Sequence, residues 1–338
     1  MRSALPAGLV MLCLSAVGVS HAADWSLHEF DAPARIDAIA TSGGEVRVEA
    51  GGLWYKLTLD GDKPTFTFID SPPKQTLPHG ALPDGRIATG THNIARAWLA
   101  DPTDRYDHGI LGDKIEAGSL VIEPRGGEAQ TIQLKADAVF EDLRPRLADL
   151  DGNGEDEIVV VKTYLKRGSA LAVIGARKGR YTILAETPPL GAPHRWLDPA
   201  GIADFNGDGK MDIAFVRQPH VVGALELWTW VGGRLQKTDE IDGTANHIAG
   251  TRAIDMSAVA DFDGDGIADL AVPSLDRKRL RLIGFMPKAH ELAGLPLPAA
   301  AVTDLALIPG AKPQTPAVVL GLADGRLALM QRMPPPAP

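Results

Sequence analysis

Three stretches of the chain gather oxygen-bearing side chains at one spacing: "DLDGNGEDE" from Asp149, "DFNGDGKMD" from Asp204 and "DFDGDGIAD" from Asp261. Each reads D-x-[DN]-G-[DN]-G-x-x-[DE]. Oxygen side chains fall at positions 1, 3, 5 and 9: Asp149, Asp151, Asn153 and Glu157; Asp204, Asn206, Asp208 and Asp212; Asp261, Asp263, Asp265 and Asp269. Position 7 is Glu155, Lys210 or Ile267, a variation expected where only the backbone carbonyl is a ligand. Glycines at positions 4 and 6 suit a loop that coils around one point with positive φ. An all-oxygen, flexible donor set favours calcium over magnesium, which demands stricter octahedral geometry. One copy alone could be a polar Asp-Gly hairpin turn; three in register predict about three Ca2+ sites. Without a cation the crowded carboxylates repel one another, so the metal is expected to serve folding rather than catalysis.

The twelve-residue helix–loop–helix calcium site is excluded by its own chemistry. That loop needs a bidentate Glu at position 12 and a following helix. Position 12 here is Val160, Phe215 or Val272, each inside an apolar strand-like run. The closing carboxylate sits at position 9 instead.

A second set of candidates precedes the loops. Nine and six positions before the first ligand stand Arg195 and Asp198 in one unit, and Arg252 and Asp255 in the next. His194, Trp196 and His247 lie close by in sequence. Arginine and carboxylate from neighbouring units could hold a sugar or an acidic group; the plainer reading is an internal ion pair that orders the strand starts. Residues 91–122 read as a long insertion carrying His92, Arg105 and His108. His108 near Asp104 or Asp113 would make an acid–base pair, against the simpler view that "DPTDRYDHG" is turn chemistry. No G-x-S-x-G elbow, H-E-x-x-H helix or phosphate-cradling glycine loop occurs.

Strands must position these groups. Asp149, Asp204 and Asp261 recur 55 and 57 residues apart. Between them run short alternating or apolar segments ("ALAVIGA", "YTILAE", "LELWTW", "RLRLIGF") punctuated by Gly and Pro, with no 3.6-residue periodicity. Four antiparallel strands in roughly 50 residues describe a propeller blade. Calcium blades are expected at about 137–190, 194–243 and 245–292, with further blades at 35–70 and 77–136. Residues 300–332 supply only three strands, and "DWSLHEF" near the N-terminus could supply the fourth. The expectation is an all-β β-propeller of six blades, or seven, closed by pairing of the N- and C-terminal strands; a solenoid would not need that last pairing.

Arg2, an apolar run from Leu5 to Val19 and the small residues Ser20 and Ala22 describe a secretory signal peptide over 1–22. Its loss removes Cys13, the one cysteine, and with it any disulfide framework or thiol nucleophile. The run is too short for a stable membrane span. One domain over 23–332 is expected, with a disordered tail at 333–338. The formal charge of −9 argues against nucleic acid as a partner.

The repeated pattern "ADFNGDGKMDIAFV" resembles the FG-GAP/VCBS repeat known from integrin α-chain propellers and exported bacterial proteins, over roughly residues 137–285. The resemblance implies a propeller, loops that hold calcium between the first two strands of a blade, and an extracytoplasmic setting. It implies little about activity. The expected protein is therefore periplasmic or secreted, a non-catalytic binding or scaffold module. Its ligand would be a glycan or an envelope protein on the face opposite the calcium loops. The alternative is a polysaccharide lyase or hydrolase working at the channel mouth with Arg195, Arg252, His108 or His247; a purely structural protein with a plugged channel is a third reading.

Overall fold

The computed structural model describes residues 25–312 and 315–333. The expected signal peptide and residues 334–338 lie outside the described residues. Strand β1 (Trp25–Phe30) comes first in the chain but belongs to the last blade. Blade one is β2 (Ile36–Ser42), β3 (Glu45–Ala50), β4 (Leu53–Asp60) and β5 (Lys63–Ile69). Blade two is β6 (Ala88–Thr89), β7 (Ile94–Thr103), β8 (Glu116–Pro124) and β9 (Gln130–Gln133). A short strand β10 (Ala138–Phe140) follows, then blade three: β11 (Arg146–Ala148), β12 (Glu157–Tyr164), β13 (Gly168–Arg177) and β14 (Arg180–Glu186). Blade four is β15 (Leu197–Ala203), β16 (Asp212–Arg217), β17 (Ala224–Val231) and β18 (Arg234–Ile241). Blade five is β19 (Ala258–Ala260), β20 (Asp269–Pro273), β21 (Arg279–Gly284) and β22 (His290–Pro296). Blade six joins β23 (Ala306–Lys312), β24 (Thr315–Gly321) and β25 (Leu327–Arg332) to β1.

All these pairings are antiparallel, and no helix occurs among the described residues. Trp25 pairs with Arg332 and Phe30 with Leu327, so the N-terminal strand completes the C-terminal blade as expected. Blades two and three are fused: β10 hydrogen-bonds β12 on one side and, through Phe140 and Ala117, β8 on the other. The expected insertion at 91–122 is corrected. Its residues 94–103 and 116–122 are the two central strands of blade two, whose polar residues (Arg96, Asp101) had masked the alternation. Only 104–115 is a true loop.

Strand position dictates composition. The second strand β12, "EIVVVKTY", is buried for seven of its eight residues because both faces of a blade pack on neighbours. The outer strand β18, "RLQKTDEI", has no buried residue and is correspondingly polar. The hydrophobic core lies between blades rather than within them. Five clusters fill five seams: two–three around Phe140 and Ile158, three–four around Val161 and Phe215, four–five around Phe205 and Leu270, five–six around Phe262 and Met330, and six–one around Val48 and Leu329. Close approach at the inner strands explains Gly201 of β15: a Cβ there would lie 2.5 Å from Val259 Cγ2 of blade five.

Candidate metal centres and the strand-start face

In blades three, four and five the first strand runs directly into an acidic loop, and the second strand leaves it. All six loop glycines adopt positive φ: Gly152 (75°), Gly154 (86°), Gly207 (70°), Gly209 (82°), Gly264 (88°) and Gly266 (88°). The first aspartate braces each turn by accepting two backbone N–H groups. Asp149 takes those of Asn153 (3.0 Å) and Gly154 (2.8 Å), Asp204 those of Asp208 (3.1 Å) and Gly209 (2.8 Å), and Asp261 those of Gly264 (2.6 Å) and Gly266 (2.9 Å). The side chain at position 5 accepts the N–H of position 7: Glu155, Lys210 and Ile267 donate to Asn153, Asp208 and Asp265. Position 7 is thus held by its backbone while its side chain is free to vary.

The closing carboxylate is buried in every copy, and it too accepts a backbone N–H. Glu157 takes that of Leu150 (3.0 Å), Asp212 that of Phe205 (3.2 Å) and Asp269 that of Phe262 (2.9 Å). The three residues that donate these backbone N–H groups are each 0% exposed, and their side chains root the loop in the seam between blades. Residue 2 of the motif was not singled out from sequence, although its apolar character in all three copies marked it. Burial raises the closing groups above the ordinary carboxylate range, Glu157 and Asp269 to about 7 and Asp212 to about 6.

The donor set fits a hard cation. One oxygen each from Asp149, Asp151 and Glu157 lies within 4.8 Å of the others, and so do those of Asp261, Asp263 and Asp265. A cluster of carboxylates that includes one raised by burial, Glu157 in the first loop and Asp263 in the third, is what a divalent ion relieves. The acids of the second loop do not converge in this way: Asp212 is engaged by the Thr229 hydroxyl (2.5 Å) and Asn206 Nδ2 (3.3 Å), while Asp204 and Asp208 accept loop backbone N–H groups.

The residues expected at a ligand face divide. His92 stands at the acidic-loop side, its Nδ1 2.8 Å from Asp156 Oδ1, away from the rest. The others gather at the strand starts, where loop 104–115 of blade two lies across blades three, four and five. Ile110 and Leu111 pack with Leu143, Leu197 and Ile254, Gly250 N–H donates to Ile110 O (2.8 Å), and the Tyr106 hydroxyl accepts the His194 N–H (2.7 Å). His108 meets neither Asp104 nor Asp113; its Nδ1 is 2.5 Å from Oε1 of the wholly buried Glu141. Glu141 also accepts the Thr163 hydroxyl (2.6 Å), and its carbonyl accepts Trp196 Nε1 (3.0 Å). Nothing in "AVFEDL" marked Glu141 in the sequence, since its partners come from three other segments.

Several expectations for this face are corrected. Trp196 offers no aromatic face outward: it is 3% exposed, stacked on His220 and edge-on to His247. Asp198 and His247 are buried too, so they are not rim groups. Burial raises Asp198 well above the usual carboxylate range, and neither of its oxygens has a hydrogen-bond partner. The two arginine–carboxylate pairs are not equivalent. Exposed Arg195 donates to the Leu190 carbonyl, whereas Arg252 bridges Asp84 (2.8 Å) and Asp113 (2.9 Å). Asp255 is bound by Arg86 (3.0 Å) and Arg144. Arg105 donates to the Ala138 carbonyl and anchors the loop to β10.

Residues 149–215 and 204–272 each match the family model described as the FG-GAP-like repeat. Residues 149–272 thus carry FG-GAP-like repeats. The FG-GAP matches begin at the first ligand of one loop and run into the strand after the next, so they contain all three acidic loops. The curated proteins hold no significant match. Among solved structures, a catalytically inactive variant of virginiamycin B lyase from Staphylococcus aureus with quinupristin aligns at a TM-score of 0.44 and 14% identity. It covers 91% of this chain and all of that one.

Proposed function

We propose that this FG-GAP repeat propeller is an exported binding or scaffold module whose three acidic hairpins are held by calcium. The observation that carries the metal is loop geometry: carboxylate oxygens converge in the first and third loops, and all three loops have positive-φ glycines and a buried closing carboxylate. Bound calcium would supply the charge that lets those carboxylates stay ionised while buried. Asp149, Asp204 and Asp261 orient the loop backbone, and Glu157, Asp212 and Asp269 tie it to the second strand. No helix among the described residues is long and apolar enough to cross a membrane, and the proposed setting is periplasmic or extracellular. The ligand proposed is a glycan or an envelope protein, in keeping with rigid blades that bear polar connecting loops.

Calcium titration of chelated protein by calorimetry tests the metal: about three sites are expected, reduced by one in Asp263→Ala. Absence of calcium binding would remove the proposal's foundation. One observation favours an enzyme as second reading, the buried Glu141 that fixes the ring of His108 through Nδ1. Turnover of acidic polysaccharides abolished by His108→Ala in folded protein would establish a lyase or hydrolase; its absence across a polysaccharide panel would leave the pair as an anchor for loop 104–115.

A further inference from the structure

The three acidic loops are alike within themselves but differ in how they meet their neighbours. Ile267, at position 7 of the third loop, lays its side chain on the second: a Cβ added to Gly207 would lie 3.0 Å from Ile267 Cδ1 and 3.4 Å from its Cγ1. The next residue, Ala268, donates its N–H to the Asp204 carbonyl (3.4 Å) and packs with the cluster of Phe205 and Leu270 in the four–five seam. Asp204 is the residue that braces the second loop by accepting the N–H groups of Asp208 and Gly209. Positions 7 and 8 of the third loop therefore touch positions 1 and 4 of the second. Among the described residues no equivalent contact joins the second loop to the first. Gly152, the counterpart of Gly207, has nothing within 4 Å of where a Cβ would stand. Lys210 and Met211, the counterparts of Ile267 and Ala268, are exposed. The first loop leans instead on blade two, where Asn93 Oδ1 accepts the Asp156 N–H (2.7 Å). Residue 2 enters a seam in all three copies, as Leu150, Phe205 and Phe262, and so does not set one loop apart.

The two touching loops also differ in readiness. In the third, one oxygen each of Asp261, Asp263 and Asp265 lies within 4.8 Å of the others, and Arg332 of blade six holds the Asp263 carbonyl (2.7 Å). In the second the acids do not converge, and Asp212 is engaged by Thr229 and Asn206. We propose that the second and third loops bind calcium as a coupled pair, linked through Ile267 and Ala268, with the third filling first and the first loop binding independently. The inference rests on the calcium reading of the loops. A cation in the third loop restrains residues 265–268, and with them the two groups that touch Gly207 and Asp204. The second loop then needs less ordering of its own to bind, which raises its affinity without any new ligand. Linkage makes the effect reciprocal: calcium in the second loop tightens the third by the same factor.

Amide exchange of the whole protein, followed by mass spectrometry against calcium concentration, gives a separate midpoint for segments 149–157, 204–212 and 261–269. In the unsubstituted protein, 204–212 is expected to gain protection with 261–269 or after it, never before. Asp263→Ala should raise the calcium midpoint of 204–212 about fivefold or more and leave that of 149–157 in place. Ile267→Ala keeps every ligand oxygen; it should shift 204–212 in the same direction while 261–269 still responds to calcium. Asp149→Ala should move neither of those two segments. Each variant is checked for a cooperative melt in saturating calcium, and Ile267→Ala carries the test alone if Asp263→Ala does not fold. A midpoint of 204–212 that stays put in folded Ile267→Ala would overturn the coupling while the calcium sites stand. So would a shift of equal size at 149–157, which would trace the effect to the stability of the whole ring. Protection of 204–212 ahead of 261–269 would overturn the order of filling. If calcium protects none of the three segments, the calcium reading falls and the coupling with it.

Discussion

His247 is wholly buried, and each of its ring nitrogens has a partner: Nε2 lies 3.0 Å from the Thr251 carbonyl and Nδ1 3.0 Å from Nε2 of His220. Because a carbonyl only accepts, Nε2 carries the hydrogen, and His220 must donate to Nδ1. Burial lowers both rings, His247 to about 3 and His220 to about 4. Unfolded histidines bind protons near pH 6.5, so between that pH and about 3 the unfolded chain holds more protons and stability falls as pH falls. His220→Gln should flatten the melting temperature against pH over pH 6.5 to 4; an unchanged slope would remove this pair as its source. At the same scale, Phe205→Ala removes a fully buried ring beside the backbone N–H that holds Asp212, leaving that N–H in place. A loss of about 3–5 kcal/mol is expected in urea unfolding, with weaker calcium binding at the second loop.

At the scale of an element, loop 104–115 is tied down by unequal contacts. Arg252 reaches Asp84 and Asp113 from a side chain that is half exposed, and exposed ion pairs contribute about 0–1 kcal/mol each. His108 instead satisfies a carboxylate with no exposure, where a lost partner costs about 1–3 kcal/mol. His108→Ala should therefore destabilise the protein and accelerate amide exchange in 104–115 more than Arg252→Ala does. The reverse order would show that the surface pairs hold the loop. The acidic hairpins obey a different rule, for they are built almost wholly from local hydrogen bonds within nine residues.

Across the whole molecule, stability depends on seams and on closure. Trp25 of β1 packs edge-on to Phe262 of the third acidic loop, ring centroids 5.9 Å apart, and Arg332 of β25 donates to the Asp263 carbonyl (2.7 Å). The closing strands and the third metal loop thus brace each other. Chelation with EGTA should lower the melting temperature by many degrees, and a superimposable melting curve would refute the metal's structural role. Deleting residues through Phe30 should bare the edge of β25 and open the five–six seam, read as loss of a cooperative transition or as aggregation.

The motif residues, the strand periodicity and the need of blade six for an N-terminal strand were all legible in the linear chain. The reason is physical: hairpin turns, positive-φ glycines and alternation depend on residues a few positions apart. What the chain order could not disclose was every contact made by convergence. Glu141 beneath His108, Asp255 between Arg86 and Arg144, and the burial of Trp196 and Asp198 depend on segments 33 to 169 residues apart meeting at the strand starts. Blade two was half hidden because polar residues on β7 and β8 interrupt the pattern that marks a strand. Local geometry therefore followed from the sequence by itself, whereas which polar groups are buried and which charges share a partner were decided by the packing of blade against blade.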